Sequence, residues 1–202
     1  RVEQLVNVEE PAADARNFAI GWRWWQQASD TELRFKSILS FIKSSALRHH
    51  GDPLYVLPWY LVIGDKTSRQ QHFLDQANLP APTIEHDILK ADDNENNWHL
   101  LNDTVLIEIP DSYRRESSQP AKAEWIELLS LLAKYRSVEP VNGVIVTVSV
   151  SSLLEKKYDE LVDQARAYRR LIEDSQQILD VQVPVNLLLT GLDAVPGIVD
   201  IL

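Results

Sequence analysis

Apolar residues follow two different patterns along this chain, and the change falls near residue 53. Before it, apolar positions recur every three or four residues, as on one face of a helix, and Ser29 with Glu32 forms a capping box ahead of them. After it, short continuous apolar runs alternate with helical patterns, which is typical of strands covered on both faces of a parallel sheet. We therefore predict a helical N-terminal arm over residues 1–52 and an α/β domain over residues 53–202, built on a doubly wound, mainly parallel sheet.

Four apolar runs are predicted to be strands, and the helices between them carry recognisable end signals. Pro120 marks the start of a helix that extends to Tyr135. Ser152 with Glu155 forms a second capping box, which predicts one long helix from there to about Ile178. The predicted strands are residues 59–63, 104–109, 143–150 and 185–190, and the polar stretches 90–97 and 112–119 are predicted to be loops.

Composition excludes several classes of function. The 202 residues include no Cys, which excludes disulfides and thiolate metal sites or nucleophiles. The formal charge of −10 disfavours nucleic acid as a partner, because both would be negative. No apolar run approaches the roughly 18 residues that span a bilayer, so we expect a soluble domain. The chain also has no Met, not even a first one, and we expect it to be a piece of a longer protein.

The sequence LPWYLVIGDKTSRQQ from Leu57 has the frame of a phosphate-binding loop, in which a buried strand ends at a glycine. The motif G-x-x-x-x-G-K-[ST], counted from Gly64, requires glycine at Arg69, lysine at Gln70 and a hydroxyl at Gln71. None of the three is present. The loop therefore lacks the glycine that lets its backbone approach the phosphates, the lysine that neutralises them and the hydroxyl that binds magnesium. Lys66 stands too early to replace the lysine and has either a solvent-exposed role or a weak attraction for an anion. By itself, the segment is better explained as an ordinary strand–loop–helix connection with one glycine.

Three later segments, taken with this one, resemble the cytoplasmic domain of the TssM/IcmF family, which are large inner-membrane proteins of type VI secretion systems. Family members read LPWYL(V/I)IGPPGxGKT at the loop, where this chain has the altered sequence from Leu57. They then read VLIDTAGRY, P(I/V)NGV(I/L)VT(I/V)S and a strand ending in TKxD. This chain has VLIEIPDSY from Val105, PVNGVIVTVS from Pro140 and NLLLTGLD from Asn186. The resemblance implies a P-loop NTPase or G-type fold, incomplete at its C-terminal side because the chain ends soon after Asp193.

The resemblance also places vestigial nucleotide-site positions in the later motifs. Glu108 stands for the aspartate that holds magnesium through water, and Asp111 stands for the glycine that contacts a γ-phosphate. In the last motif Thr190 and Asp193 are retained, but Gly191 replaces the lysine that covers the base. Asp193 could accept a hydrogen bond from a guanine edge or cap a turn.

We infer from these losses that the chain is a pseudo-NTPase, with no cofactor, no metal and no catalytic residue, because phosphoryl transfer depends on positioned charge. The alternatives are an active or weakly nucleotide-binding ATPase or GTPase with an irregular site, and a generic binding module on the same fold.

By resemblance, the domain would be a scaffold at the cytoplasmic face of the bacterial inner membrane, in a protein anchored by segments outside this chain. Its expected partners are a TssL-like inner-membrane protein and baseplate components. Two charged clusters in the predicted loops are candidate partner contacts, although either could be a solvated loop with no partner. They are the acidic residues Asp92, Asp93 and Glu95, and the basic pair Arg114 and Arg115.

Overall fold

The computed structural model describes residues 29–64, 96–114, 119–192 and 195. Within this part of the chain, 3₁₀ helices cover Ala46–His49 and Asp111–Arg114. The α-helices are α1 (Asp30–Ser44), α2 (Gln119–Tyr135), α3 (Val150–Glu155) and α4 (Tyr158–Leu179). The strands are β1 (Trp59–Gly64), β2 (Asn97–Leu100), β3 (Val105–Ile109), β4 (Gly143–Ser149) and β5 (Val185–Thr190).

The described strands form one mixed sheet in the order β2-β3-β1-β4-β5. Strand β1 lies in the centre and pairs in parallel with β3 on one side and β4 on the other. Strand β5 continues the parallel arrangement beyond β4, whereas β2 pairs antiparallel with β3. The predicted mixed α/β class with a mainly parallel sheet is therefore confirmed.

The four predicted strands are all present, with ends that differ from the predicted bounds by at most one residue. Strand β2 was not predicted, and Asn97, assigned to a loop, is its first residue. In β2 the half-buried Asn97 and His99 alternate with the buried Trp98 and Leu100, which is the pattern of a strand in an antiparallel pair. A four-residue alternation is short enough to be hidden by the polar residues before it.

The first capping box is confirmed, since the Ser29 side chain accepts a hydrogen bond from the Glu32 N–H at 3.0 Å. The second prediction is wrong. Ser149 caps the short helix α3 instead, and the Ser152 residue is buried inside that helix. The long helix α4 begins only at Tyr158, because Lys156 and Lys157 have extended backbones that interrupt the helical run.

The long helices and the sheet share one core. Its apolar side chains come from α1, α2, α4 and one face of the sheet, so the described part of the N-terminal arm packs directly on the α/β domain. Phe35 of α1 meets the Trp98 ring edge-on at 5.5 Å, and Trp98 meets Trp59 in the same way at 5.4 Å. These contacts anchor α1 beside β2. A smaller cluster, with Val62, Leu101 and Leu106, lies on the opposite face of the sheet.

Helices α1, α2 and α4 lie on the side of the larger core, so a doubly wound sheet stays a prediction that depends on residues 65–95, which are outside the described part. The boundary between the arm and the domain near residue 52 likewise stays a prediction. No helix in the described ranges is both long enough and apolar enough to cross a bilayer.

Candidate functional site

The carboxyl ends of β1, β3, β4 and β5 meet at one edge of the sheet, because these four strands are parallel. After β1 the chain goes to β2 and β3 on one side, and after β4 it goes to β5 on the other. A crevice between two strands whose connections diverge in this way is where open α/β sheets bind ligands. The candidate site is therefore the edge between Gly64 and Ser149, and we call it the carboxyl edge.

At the carboxyl edge, Gly64 is the buried last residue of β1 and lies opposite Thr147 of β4. The Thr147 hydroxyl is fully buried and donates to the Ile63 carbonyl oxygen at 3.5 Å. The Ser149 hydroxyl accepts from the Ser152 N–H at 3.4 Å. These two neutral groups bind the backbone around them. The loop positions Lys66, Arg69, Gln70 and Gln71 lie outside the described residues.

Glu108 is held by the neighbouring strand. One of its carboxylate oxygens lies 3.2 Å from His99 Nε2 and accepts a hydrogen bond from Asn97 Nδ2 at 3.5 Å. The side chains of Glu108 and His99 are 12% and 27% exposed, so the pair is largely shielded from solvent. A carboxylate that accepts from its own sheet in this way has less capacity to orient magnesium-bound water.

Asp111 belongs to the 3₁₀ helix after β3 and forms an ion pair with Arg114. The Arg114 guanidinium lies 5.5 Å from the centre of the Tyr168 ring, and Arg170 Nη2 donates to the Arg114 carbonyl oxygen at 2.7 Å. The negative charge predicted at Asp111 is thus balanced within the segment. Tyr168 and Arg170 both belong to α4, so the segment is bound to the main body of the protein.

The backbone conformation at the end of β5 explains why the last motif has a glycine at position 191. Gly191 has φ = +72°, a left-handed conformation that side-chain-bearing residues rarely adopt. A Cβ atom there would have its nearest neighbours, the Ser149 and Ser151 hydroxyls, at 4.0 Å, so space is available and only the backbone conformation is restrictive. The Thr190 hydroxyl donates to the Val148 carbonyl at 3.5 Å. Asp193 lies outside the described residues.

Comparison with known proteins bears on the same segments. A family model described as the IcmF-related N-terminal domain matches residues 118–202. The chain is also 30% identical, over 207 aligned positions and 98% of its own length, to the type VI secretion system component TssM1 of Pseudomonas aeruginosa. The chain belongs to the TssM/IcmF family. It spans 18% of the length of that TssM1 protein.

The PVNG segment resembles a motif of the TssM/IcmF family, and in this structure its residues form contacts between the start of β4 and the start of β1. Trp59 N–H donates to Asn142 Oδ1 at 2.8 Å, and Asn142 N–H donates to the Trp59 carbonyl at 2.7 Å. Gly143 allows close packing, because a Cβ atom there would lie 3.0 Å from the Tyr60 ring and 3.1 Å from the Pro184 carbonyl. These contacts join β4 to β1 at the amino end of the sheet, opposite the carboxyl edge.

Arg136, which follows α2, is fully buried and was not predicted from the sequence to have a role. Its guanidinium carbon lies 4.2 Å from the centre of the Trp59 ring and 5.2 Å from that of Tyr55. Burial lowers the pKa of Arg136 to about 10. Nothing in the sequence marks this arginine, since most arginines are exposed.

Of the candidate partner contacts in this family member, only Arg114 falls in the described ranges, where it is engaged within the chain as stated above. Asp92, Asp93, Glu95 and Arg115 lie outside them. Across the described residues there is no group of three or more His, Asp or Glu side chains that could hold a metal ion.

Proposed function

We propose that this chain is a nucleotide-independent scaffold domain of a type VI secretion membrane complex. The proposal extends to the chain the role named for its TssM1 relative, which is a type VI secretion system component. In this proposal the domain lies at the cytoplasmic face of the bacterial inner membrane. It links a TssL-like membrane partner to baseplate components, and it is anchored by segments of a longer protein.

We further propose that the fold is that of a P-loop NTPase or G-type domain whose reaction has been lost. Support comes from the central position of β1, which ends at Gly64, and from the divergence of chain connections on its two sides. Further support comes from the substituted loop positions Arg69, Gln70 and Gln71, which remove the phosphate-binding lysine and the magnesium-binding hydroxyl.

The observation that carries the proposal is the attachment of the segment after β3. In a nucleotide-driven switch this segment moves when a γ-phosphate arrives or leaves. Here Tyr113 is buried with its ring 6.0 Å from that of Trp125 in α2, and Arg170 of α4 binds the Arg114 carbonyl. Exposing the tyrosine and breaking that hydrogen bond would cost on the order of 3 kcal/mol. A fixed segment of this kind suits a rigid contact surface better than a switch.

The test is whether partner association depends on nucleotide. The parent protein, purified with its TssL-like partner, would be used to capture baseplate components after nucleotide removal and again with magnesium and GTP or ATP. The proposal predicts equal capture in all conditions. Capture that requires nucleotide, or that is released by it, would contradict the proposal.

The same assay examines the acidic cluster Asp92, Asp93 and Glu95. Reversal of these three charges to lysine is expected to weaken baseplate capture while leaving the melting temperature nearly unchanged, because charges in a recognition loop steer a partner. A folded variant that captures baseplate components as well as the parent does would exclude this cluster as the docking site. It would leave the scaffold proposal standing.

A further inference from the structure

A cavity of about 150 Å³ lies on the helical side of the sheet, between the start of α1, the middle of α2 and the first residues of β2. Its walls include the buried apolar side chains of Phe35, Trp98 and Leu128. It is distinct from the carboxyl edge, and none of the vestigial nucleotide positions in the described ranges lines it.

One of the residues that line this cavity, Asn96, carries an unsatisfied hydrogen-bond acceptor. Asn96 is 6% exposed, and its Nδ2 donates to the Tyr113 hydroxyl at 3.2 Å. Its Oδ1 is buried and has no hydrogen-bond partner in the described part of the chain. A buried amide oxygen without a donor costs about 1–3 kcal/mol, so this atom favours a ligand that brings an N–H group.

The acidic residues that line the cavity differ in their exposure to solvent. Asp30 is exposed and Glu124 is half-buried, which places two carboxylates toward the solvent side of the buried Asn96 amide. Arg34 also contributes to the wall, so two negative groups oppose one positive group. The whole chain carries a formal charge of −10, which attracts cations in the same sense.

Size decides between a small molecule and a side chain. Pockets for drug-sized ligands or cofactors measure about 300–1,000 Å³, which is well above the volume here. A single long side chain fits better. The stem of a lysine or arginine would pack on Phe35 and Trp98, and its cationic head would meet the aromatic faces and the oxygen acceptors.

We propose that this cavity is a docking site for a lysine or arginine side chain of a partner protein. The ammonium or guanidinium group would donate to Asn96 Oδ1 and to the carboxylates of Asp30 and Glu124. The site would thus give the domain a specific contact that does not depend on the state of the carboxyl edge.

The test uses the 202-residue chain and three blocked peptides with a central lysine, arginine or Nε-acetyl-lysine between glycines. Binding is followed by the NMR signals of the Asn96 side-chain amide and the Trp98 indole N–H, assigned with Asn96→Ser and Trp98→Phe variants. The cationic peptides are expected to shift both signals in a saturable manner. The acetylated peptide, which lacks the charge, is expected to leave them unchanged.

Variants then separate a site from general attraction. Asp30→Asn combined with Glu124→Gln is expected to weaken binding at least about tenfold, because each removes a charge-assisted hydrogen bond. Asp159→Asn is the matched control: it removes the same charge from the first turn of another helix and is expected to change affinity less than about twofold. If the double variant fails to fold, the single Asp30→Asn variant, at an exposed position, is expected to weaken binding in the same direction.

Three results would overturn the proposal. They are the absence of a saturable shift at Asn96, an equal shift with the acetylated peptide, and unchanged affinity in the charge variants. The first would mean that no peptide side chain enters the cavity, and the other two would mean that binding does not depend on a cationic group paired with Asp30 and Glu124.

Discussion

At the amino end of the sheet the Arg136 guanidinium is fully buried over Trp59 and Tyr55, whereas at the carboxyl edge Glu108, Asp111 and Arg114 are only half-buried. The carboxyl-edge groups bind nearby side chains of the same chain. Among the described residues, the Arg136 nitrogens Nε, Nη1 and Nη2 have no hydrogen-bond acceptor. The two rings and the more distant carboxylates of Asp52 and Glu139 favour the charged form instead.

The amino end of the sheet therefore contains a buried charge whose free-energy cost has to be offset by packing. Burial lowers the pKa of Arg136 to about 10, which corresponds to roughly 3 kcal/mol against the charged form. A desolvated cation–π contact returns about 2 kcal/mol, and the side-chain stem adds buried apolar area. The free-energy cost of burying the Arg136 charge is therefore nearly offset by the contacts of its side chain. At the carboxyl edge, Glu108 lies against His99 and Asp111 is paired with Arg114, so each of these groups has a polar partner within the chain.

The largest effect is expected from Arg136→Ala, which leaves a void over Trp59 and should lower the free energy of unfolding by about 2–4 kcal/mol. Arg136→Met keeps most of the volume and removes the buried charge, so it should stay within about 1 kcal/mol of the parent. Both are measured by denaturant unfolding, with the exposed Arg166→Ala as control, for which a change below about 0.5 kcal/mol is expected. A loss of several kcal/mol in the methionine variant would show that the charge itself stabilises the amino end.

The pH dependence sharpens the same comparison. Between about pH 6 and pH 9 Arg136 is protonated in both the folded and the unfolded chain, so the difference between parent and Arg136→Met should be constant. Above about pH 10 the folded chain loses this proton first. The parent should then gain stability relative to the variant.

A smaller effect is expected at the carboxyl edge from Gly191→Lys, which restores the lysine of the family motif. The left-handed backbone at φ = +72° should make this change cost about 1–2 kcal/mol, because a Cβ atom is strained there. Gly191→Asn should cost less, since asparagine tolerates this conformation. Equal stability of the lysine variant and the parent would contradict the assignment of strain to this residue.

The smallest effect is expected from repair of the loop with Arg69→Gly, Gln70→Lys and Gln71→Thr. Hydrolysis of GTP or ATP should stay at the background level of the parent chain, because Glu108 remains bound to His99 and the segment at Asp111 remains attached to α4. Phosphate release is the measurement. Sustained turnover by the triple variant would mean that the later motifs are less disabling than proposed.

Much of the sheet was predictable because its parallel strands are continuous apolar runs, and residues 59–63 and 143–150 stand out for that reason. Strand β2 was not predicted because it is only four residues long, alternates polar and apolar positions and follows a polar stretch. The pattern Asn97-Trp98-His99-Leu100, just before the turn that joins Leu101 to Thr104, was the signal that could have revealed it.

The candidate site was predictable only in part. Motif spacing identified Gly64, Glu108, Asp111 and Gly191 as positions at strand ends, and the structure places the described ones there. Motif spacing could not reveal that Glu108 pairs with His99, which depends on the unpredicted strand β2, or that Arg114 lies against Tyr168, which depends on the packing of α4. Arg136 and Asn96 have no local signature either, since burial of a polar side chain depends on the packing of several elements.

The most direct test of the central claim is calorimetric titration of the 202-residue chain with magnesium and GTP, and separately with ATP. A scaffold that has lost its phosphate-binding lysine and magnesium ligand should give no binding heat at physiological nucleotide concentrations. Saturable binding of either nucleotide with a micromolar dissociation constant would contradict that claim and would favour an irregular but working ATPase or GTPase.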